Sequence, residues 1–281
     1  PGDVHRVYLQ STFRGRSGSN TVFPYRRYLD LRRAAGPIED FAAVTEWRFA
    51  TGAGDASRIS KVAGVSASFF GFFDAPPLHG RYFFAAEDQP PAGTRVAVIS
   101  HEMWMREYVG ADVVGRSLKV GMLDYTIVGV APPRFVGTVI GNPPEVFVPI
   151  TTIPANLGPW SEESYLRDYN WDWTEVLVRR APGADVNAVS AALTQAYIQS
   201  RASARALNPR ILPDSLARPR ALAGRPYTMP GHGPPHASAR RRHDLERRAA
   251  QVERRVAVEE VRRTQLEAHL LHRQHWPVLR L

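Results

Sequence analysis

Ser66, in the run Gly64-Val65-Ser66-Ala67-Ser68, and His101 are the residues from which a serine-hydrolase site would have to be built. A nucleophile elbow needs a second glycine, because its sharp strand-to-helix turn leaves no room for a side chain, and this run lacks one. Nothing in the sequence pairs His101 with Ser66 beyond both being present. His101-Glu102 lacks the second histidine of a zinc metalloprotease helix. His232, His236 and His243 have no cysteine to complement them and only Asp244 as a nearby carboxylate, so they are assigned to solvent rather than to zinc. A phosphate loop requires a lysine after a glycine, and the two lysines, Lys61 and Lys119, follow Ser60 and Leu118. The expectation is therefore no catalytic residue, no cofactor and no metal.

Two aromatic-rich segments remain. Phe69, Phe70, Phe72 and Phe73 with Tyr82, Phe83 and Phe84 could hold an apolar substrate, but core packing is the better reading of such a cluster. Trp160, Tyr165, Tyr169, Trp171 and Trp173 interleave with Glu162, Glu163, Asp168, Asp172 and Glu175. They form a candidate partner-facing loop, with a cap over the hairpin layer as the open alternative. The acidic residues disfavour nucleic acid there.

The elements that would position these residues are legible from periodicity. Val96 to Ile99 is a β-branched run, Ser100 stands at a helix N-cap, and Met103, Trp104 and Tyr108 recur at helical spacing. Leu118, Val120 and Met122 then alternate on one face, and Tyr125 and Ile127 continue beyond a turn near Gly121 to Asp124, as in a β-hairpin. Ala131-Pro132-Pro133 stops it, and Val146 to Ile150 supplies another strand. Upstream, Val4 to Gln10 reads as a strand, Arg14 to Asn20 as a loop, and Pro24 opens a helix reaching Ala35. Phe41 to Thr51 and Arg58 to Val65 read as strands around Gly54-Asp55, and Ser68 to Phe73 as a short helix. Val176 to Arg180 is a strand and Val186 to Arg201 a helix presenting Val189, Leu193, Ala196 and Tyr197. The early and late β-α pieces can pack together with the middle inserted between them, which gives an α+β class.

In these segments the chain resembles the extracytoplasmic core domain of MacB-type ABC transporter permeases, related to FtsX-like permeases. The residues carrying the likeness are Val96-Ala97-Val98-Ile99-Ser100, Trp104, Val113-Val114-Gly115-Arg116 and Ile127-Val128-Gly129-Val130-Ala131-Pro132-Pro133. Phe23 to Arg32, Val65 to Phe70, Leu78 to Arg81 and Val176 to Ala184 are similar to further family motifs. The order and spacing of these motifs carry the likeness, not any one of them. It spans about residues 1–202. It implies a porter-like subdomain over about 1–92 with 172–202 and an inserted β-rich Sabre-like subdomain over about 93–171. It further implies a non-enzymatic domain that transmits conformational change across the membrane for export, held between membrane helices that this sequence does not contain. The implied partners are those helices, a cytoplasmic ATPase, a second copy and a periplasmic adaptor, and the implied location is the extracytoplasmic, periplasmic side of the cell membrane.

Composition bounds the alternatives. The 281 residues are 44% hydrophobic, ordinary for a globular protein, and no apolar run approaches the length of about 18 residues that spans a bilayer. There is no signal peptide pattern and no cysteine, so disulfides and thiolate chemistry are excluded. Residues 201–281 hold 17 arginines, no lysine and 7 acidic residues, a net +10, whereas residues 1–200 carry 19 basic and 20 acidic residues, a net −1. The basic excess thus belongs to the tail, residues 203–281, read as disordered or helical and outside the domain. Asn208 to Pro235 is too dense in proline and arginine for an element, and Ala239 to His275 has a helical Arg/Glu/Ala/Val pattern. A genuine amphipathic helix and an out-of-frame translation of a GC-rich gene both fit that tail. A free-standing binding module using the acidic aromatic loop, and a nucleic-acid-associated protein using the tail, are the competing functions, with no nucleic acid expected for residues 1–202.

Overall fold

Alternate residues along the central strands enter different cores. Phe41 and Ala43 lie in one buried cluster, Ala42 and Val44 in the other. Ala97 and Ile99 divide from Val96 and Val98 in the same way, as do Val176 and Val178 from Leu177. A sheet apolar on both faces must be covered on both. The computed structural model shows how; it describes residues 3–13, 16–34, 36–54, 57–139, 141–207 and 220–223.

In chain order the elements are β1 (Val4–Phe13), β2 (Arg16–Asn20), β3 (Val22–Pro24), α1 (Tyr25–Leu31), β4 (Ile38–Thr51) and β5 (Arg58–Val65). They continue as β6 (His79–Gly80), β7 (Val96–Ile99), α2 (His101–Tyr108), β8 (Ser117–Val120), β9 (Leu123–Val130) and β10 (Val146–Pro149). The remainder are α3 (Ile153–Leu157), α4 (Pro159–Ser164), β11 (Asp172–Arg180), α5 (Val186–Leu207) and β12 (Arg220–Ala223). Turns of 3-10 helix occupy Ala67–Phe72, Ala85–Asp88 and Ile150–Thr152. The sheet runs β12, β1, β11, β4, β5, β10, β7, β9, β6, with β2 on β1, β3 on β11, and β8 on β4 and β9. Among the described residues the pairs β5–β10 and β7–β9 are parallel and the others antiparallel. The class is α+β, with a large mixed sheet.

One face is covered by α1 and α5, through Tyr28 and Leu31 from the first and Val189, Leu193 and Tyr197 from the second. The other is covered by Phe69, Phe70, Phe72, Phe73 and Phe83, so this aromatic segment is core; Phe84 alone of the group is well exposed. Ser100 caps α2, its Oγ accepting from the Met103 N–H at 3.1 Å.

Several expectations need correction. Met122 is exposed rather than on the buried face of Leu118 and Val120, because Gly121-Met122 is itself the two-residue turn between β8 and β9. Pro24 ends β3 and caps α1 instead of opening it, and α1 stops at Leu31, short of Ala35. Arg16–Asn20 is a strand rather than a loop, since pairing with Leu9–Phe13 is made by the main chain and outweighs the weak strand propensity of Gly and Ser. Helix α5 passes residue 202 to Leu207, and Arg220–Ala223 pairs with Val7–Gln10 although no element was expected between 208 and 235. Main-chain hydrogen bonding to an open edge does not depend on composition. The histidines 232, 236 and 243 and the helical pattern over 239–275 lie outside the described residues.

Gly129 faces Gly80 across β9 and β6, and a Cβ there would collide with the Arg81 backbone carbonyl. Backbone cannot rotate away as a side chain can. Gly129→Ala is expected to cost about 1–3 kcal/mol in urea unfolding. A loss of under about 0.5 kcal/mol, the range of an inert surface change, would show that this edge is not packed as described.

Candidate functional site

Strands β5 and β10 form the seam at which the sheet's two halves meet. They pair in parallel, Val62 with Val146, Ala63 with Phe147, Gly64 with Val148 and Val65 with Pro149. On one side stand strands from residues 4–65 with β11 and β12; on the other, strands from residues 79–149. Among the described residues, only Thr51 opposite Val120 adds a further strand pairing across the divide.

Each end of the seam is fastened by polar side chains. Past its C-terminal end, Asp88 Oδ2 accepts from the Ala67 N–H at 3.1 Å, beyond β5. Asp88 Oδ1 accepts from the N–H of Thr151 at 3.3 Å and from its Oγ1 at 2.9 Å, beyond β10. At the other end Arg58 reaches Glu145 at 2.9 Å and Glu107 at 2.9 Å, while Arg106 reaches the same two carboxylates at 2.8 and 2.9 Å. The four side chains close a ring of ion pairs, partly exposed, in which each contact is worth at most about 1 kcal/mol. Lys61 adds a bond to the Asn142 carbonyl at 2.9 Å and a pair with Glu46 at 2.7 Å.

A second polar centre joins the early and late β-α pieces. Strand β1 pairs with β11, Val4 opposite Arg179. Above them Asp30 of α1, 6% exposed, accepts from Ser200 Oγ of α5 at 2.6 Å and from Tyr169 OH at 2.7 Å. Arg26 and Arg33 approach its other oxygen at 3.2 and 3.5 Å. The Arg27 guanidinium lies 4.7 Å from the Tyr197 ring centre and 5.2 Å from that of Tyr169. One carboxylate therefore holds α1, α5 and the segment after α4 together. Burial pushes the Tyr169 hydroxyl above its ordinary pKa, so it remains the donor in this arrangement.

The aromatic loop divides. Tyr165, Tyr169 and Trp173 are 1%, 7% and 6% exposed, so these three rings are buried within the domain beside α1 rather than turned outward. Tyr165 OH donates to the Pro91 carbonyl at 2.5 Å, and Tyr25 packs 5.3 Å from Tyr165 and 5.8 Å from Trp173. Trp171 is half-buried and stacks on Trp173 at 5.1 Å. Trp160, 62% exposed, is the one ring of the five left free to meet another molecule.

Ser66 and His101 share no hydrogen bond. Ser66 is buried, its Oγ accepting from the Ala43 N–H at 3.0 Å and lying 2.9 Å from Ser68 Oγ, while His101 packs on Trp104. A cleft of about 470 Å³ opens among Arg6, Val44, Glu46, Thr138, Trp173 and Glu175. Arg6 is engaged by Glu175 at 3.2 Å and Glu46 by Lys61, so its charges are matched internally. Asp30, Asp88 and the Arg58–Glu145 ring were not singled out from sequence, where each is one charged residue among many.

A protein-family model described as the MacB-like periplasmic core domain matches residues 2–196. No curated protein matches the chain. Among solved structures, the fold is similar to a domain of a protein described as a permease, from Porphyromonas gingivalis, with TM-score 0.60 and 14% identity over 84% of this chain and 94% of that one. It is similar to the extracellular domain of the ABC-type transporter YknZ from Gram-positive bacteria, with TM-score 0.53 and 12% identity over 71% and 95%. The periplasmic region of MacB from Actinobacillus actinomycetemcomitans gives TM-score 0.51 and 12% identity over 69% and 81%. At these identities the likeness to the solved structures concerns the fold.

Asp30→Ala would leave Ser200 and Tyr169 as buried donors without this acceptor, at about 1–3 kcal/mol each. The expected loss in chemical unfolding is about 3 kcal/mol, against a change within about 0.5 kcal/mol for Trp160→Ala. Equal effects of the two substitutions would contradict the division of the loop into buried and exposed rings.

Proposed function

The chain belongs to the MacB-like periplasmic core domain family, and from that premise we propose that it serves as the non-enzymatic extracytoplasmic part of an ABC transporter permease. It passes movement driven by a cytoplasmic ATPase outward across the membrane for export. The match over residues 2–196 is the observation that carries this reading. The fold supports it: β1 lies beside β11 and α1 beside α5, so the two ends of the matched region stand together, as in a domain inserted between two membrane helices. No helix among the described residues is long and apolar enough to cross a membrane, so those helices would lie elsewhere in the permease.

In the same proposal the porter-like part comprises about residues 1–92 with 172–202, the Sabre-like part about 93–171, and the β5–β10 seam joins them. Four residue pairs, Asp88 and a partly exposed ion-pair ring fasten that seam, which makes it the place where relative movement is most easily taken up. The partners are the permease's own membrane helices, its ATPase, a second copy and a periplasmic adaptor, for which Trp160 is an available contact. The binding-module alternative loses most of its surface with the burial of Tyr165, Tyr169 and Trp173.

Two measurements test this. In the intact permease with its ATPase, replacing residues 3–207 by a Gly/Ser linker is expected to abolish export while ATP hydrolysis stays measurable; undiminished export would refute the role. The purified chain is expected to show no thermal shift in millimolar ATP, and a nucleotide-dependent rise in Tm would mean that it binds ATP itself.

A further inference from the structure

Strand β4 has an unfilled interval along the edge that faces away from β5. Strand β11 pairs with it as far as Glu175 opposite Val44, and β8 takes over only at Val120 opposite Thr51. Among the described residues no strand pairs with residues 45–49 on that side. The Ala43 carbonyl accepts from the Ser66 N–H, just past β5, at 2.9 Å, and the Ala50 carbonyl accepts from the Gly121 N–H on the opposite side at 2.7 Å. Main-chain groups alternate in direction along an antiparallel strand, so those of Glu46 and Arg48, in step with Ala50, point into the interval. Both residues are exposed, and their two N–H and two C=O groups make no hydrogen bond among the described residues.

The cleft of about 470 Å³ lies at the β11 end of this interval, lined there by Val44, Thr45 and Glu46 of β4 and by Trp173 and Glu175 of β11. Trp173 is 6% exposed, and its indole N–H has no acceptor among the described residues. Of the charged side chains beside the interval, Arg6 pairs with Glu175 and Glu46 with Lys61. Arg48 forms no ion pair among the described residues. We propose that the interval is a peptide-docking lane, in which a short extended segment of a partner protein adds to β4 through Glu46 and Arg48 and sets an acidic side chain beside Arg48.

The chemistry of the edge selects a peptide, since an extended chain presents N–H and C=O groups at the same two-residue period. The flanking strands β8 and β11 both run antiparallel to β4, and a segment that continues the sheet between them runs the same way. The residue directly opposite Arg48 places its side chain on the face that carries the guanidinium, where an opposite charge attracts and a like charge repels. Length is limited as well, because Gly121 closes one end of the lane and Glu175 the other. The β4 strand of a second copy is excluded on that ground: it is 14 residues long and would run into both. The chain's own tail is disfavoured by sign, since residues 201–281 carry a net +10 and would set further arginines against Arg48. The lane is separate from the β5–β10 seam, and it does not depend on the transport reading, since binding is measurable on the chain alone.

The test is amide NMR with hydrogen exchange on the full chain, using as probe the capped pentapeptide Val-Glu-Val-Thr-Val, whose second residue falls opposite Arg48 and whose fourth falls opposite Glu46. Without peptide, the Glu46 and Arg48 amides should exchange fast and those of Thr45 and Trp47, which face β5, slowly. With peptide, the Glu46 and Arg48 signals should shift saturably, and both amides should gain about tenfold protection at ten times the dissociation constant. Methylating the amide nitrogens of the second and fourth peptide residues should abolish binding, whereas methylating the third should not. Lysine in place of the glutamate should weaken binding about fivefold, and Arg48→Glu, an exposed substitution, should invert that preference. No saturable shift at Glu46 and Arg48, or equal effects of methylation at the second and third peptide residues, would overturn the proposal. Protection of the two amides in the free chain would also overturn it, because the tail or a second copy would then already fill the lane. A preference for glutamate that persists in Arg48→Glu would remove the acidic side chain from it.

Discussion

The parallel pairing of β5 with β10 is the contact on which the rest of the sheet depends. Val62, Val146 and Val148 feed one core from it and Ala63, Val65 and Phe147 the other, so neither core is complete without both strands. Parallel neighbours cannot be joined by a tight turn and need a long connection. Here that connection holds the Phe-rich turn, β6 to β9, and Asp88, which returns to fasten both strand ends. The seam is apolar inside and tied by polar groups at its two ends. The proposed transmission of movement would draw on that combination.

Much of the fold was legible because local pattern and tertiary role agree. Ser100 followed by Met103 and Tyr108 marks a cap and a helix, and both are present. Phe41 to Thr51 and Arg58 to Val65 read as strands because each must satisfy two cores, which leaves long β-branched and aromatic runs. The failures lie where the main chain alone decides. Arg16–Asn20 and Arg220–Ala223 are strands by virtue of an available edge on β1, which their own side chains do not announce. Met122 failed for a related reason: a turn of two residues shifts the alternation, and the sequence did not reveal where within Gly121 to Asp124 it began.

The candidate site was less legible than the fold. The aromatic loop attracted notice by composition, yet the orientation of each ring is set by distant residues: Tyr169 by Asp30, 139 positions away, and Tyr165 by Pro91, 74 positions away. Asp88 acquires its character only from what surrounds it, since a carboxyl in a solvated loop and one that accepts from Ala67 and Thr151 read identically in sequence. The Arg58–Glu107–Glu145–Arg106 ring likewise exists only once β5, α2 and β10 are adjacent. The order of motifs along the chain conveyed the family, and the long-range contacts that make the seam could not be read from any one of them.

The central claim is that the seam takes up movement when the transporter works. The chain contains no cysteine, so single thiols introduced on either side of the seam can be labelled without interference from the domain itself. Ile59 on β5 and Met105 on α2 are exposed and lie on opposite sides. With spin labels at Ile59→Cys and Met105→Cys in the intact permease, electron-spin distance measurements with and without ATP report the seam directly. The expected result is a distance distribution that shifts or broadens on ATP binding. An identical narrow distribution in both states would mean that the two halves move as one rigid piece, and the seam would then have no part in transmission.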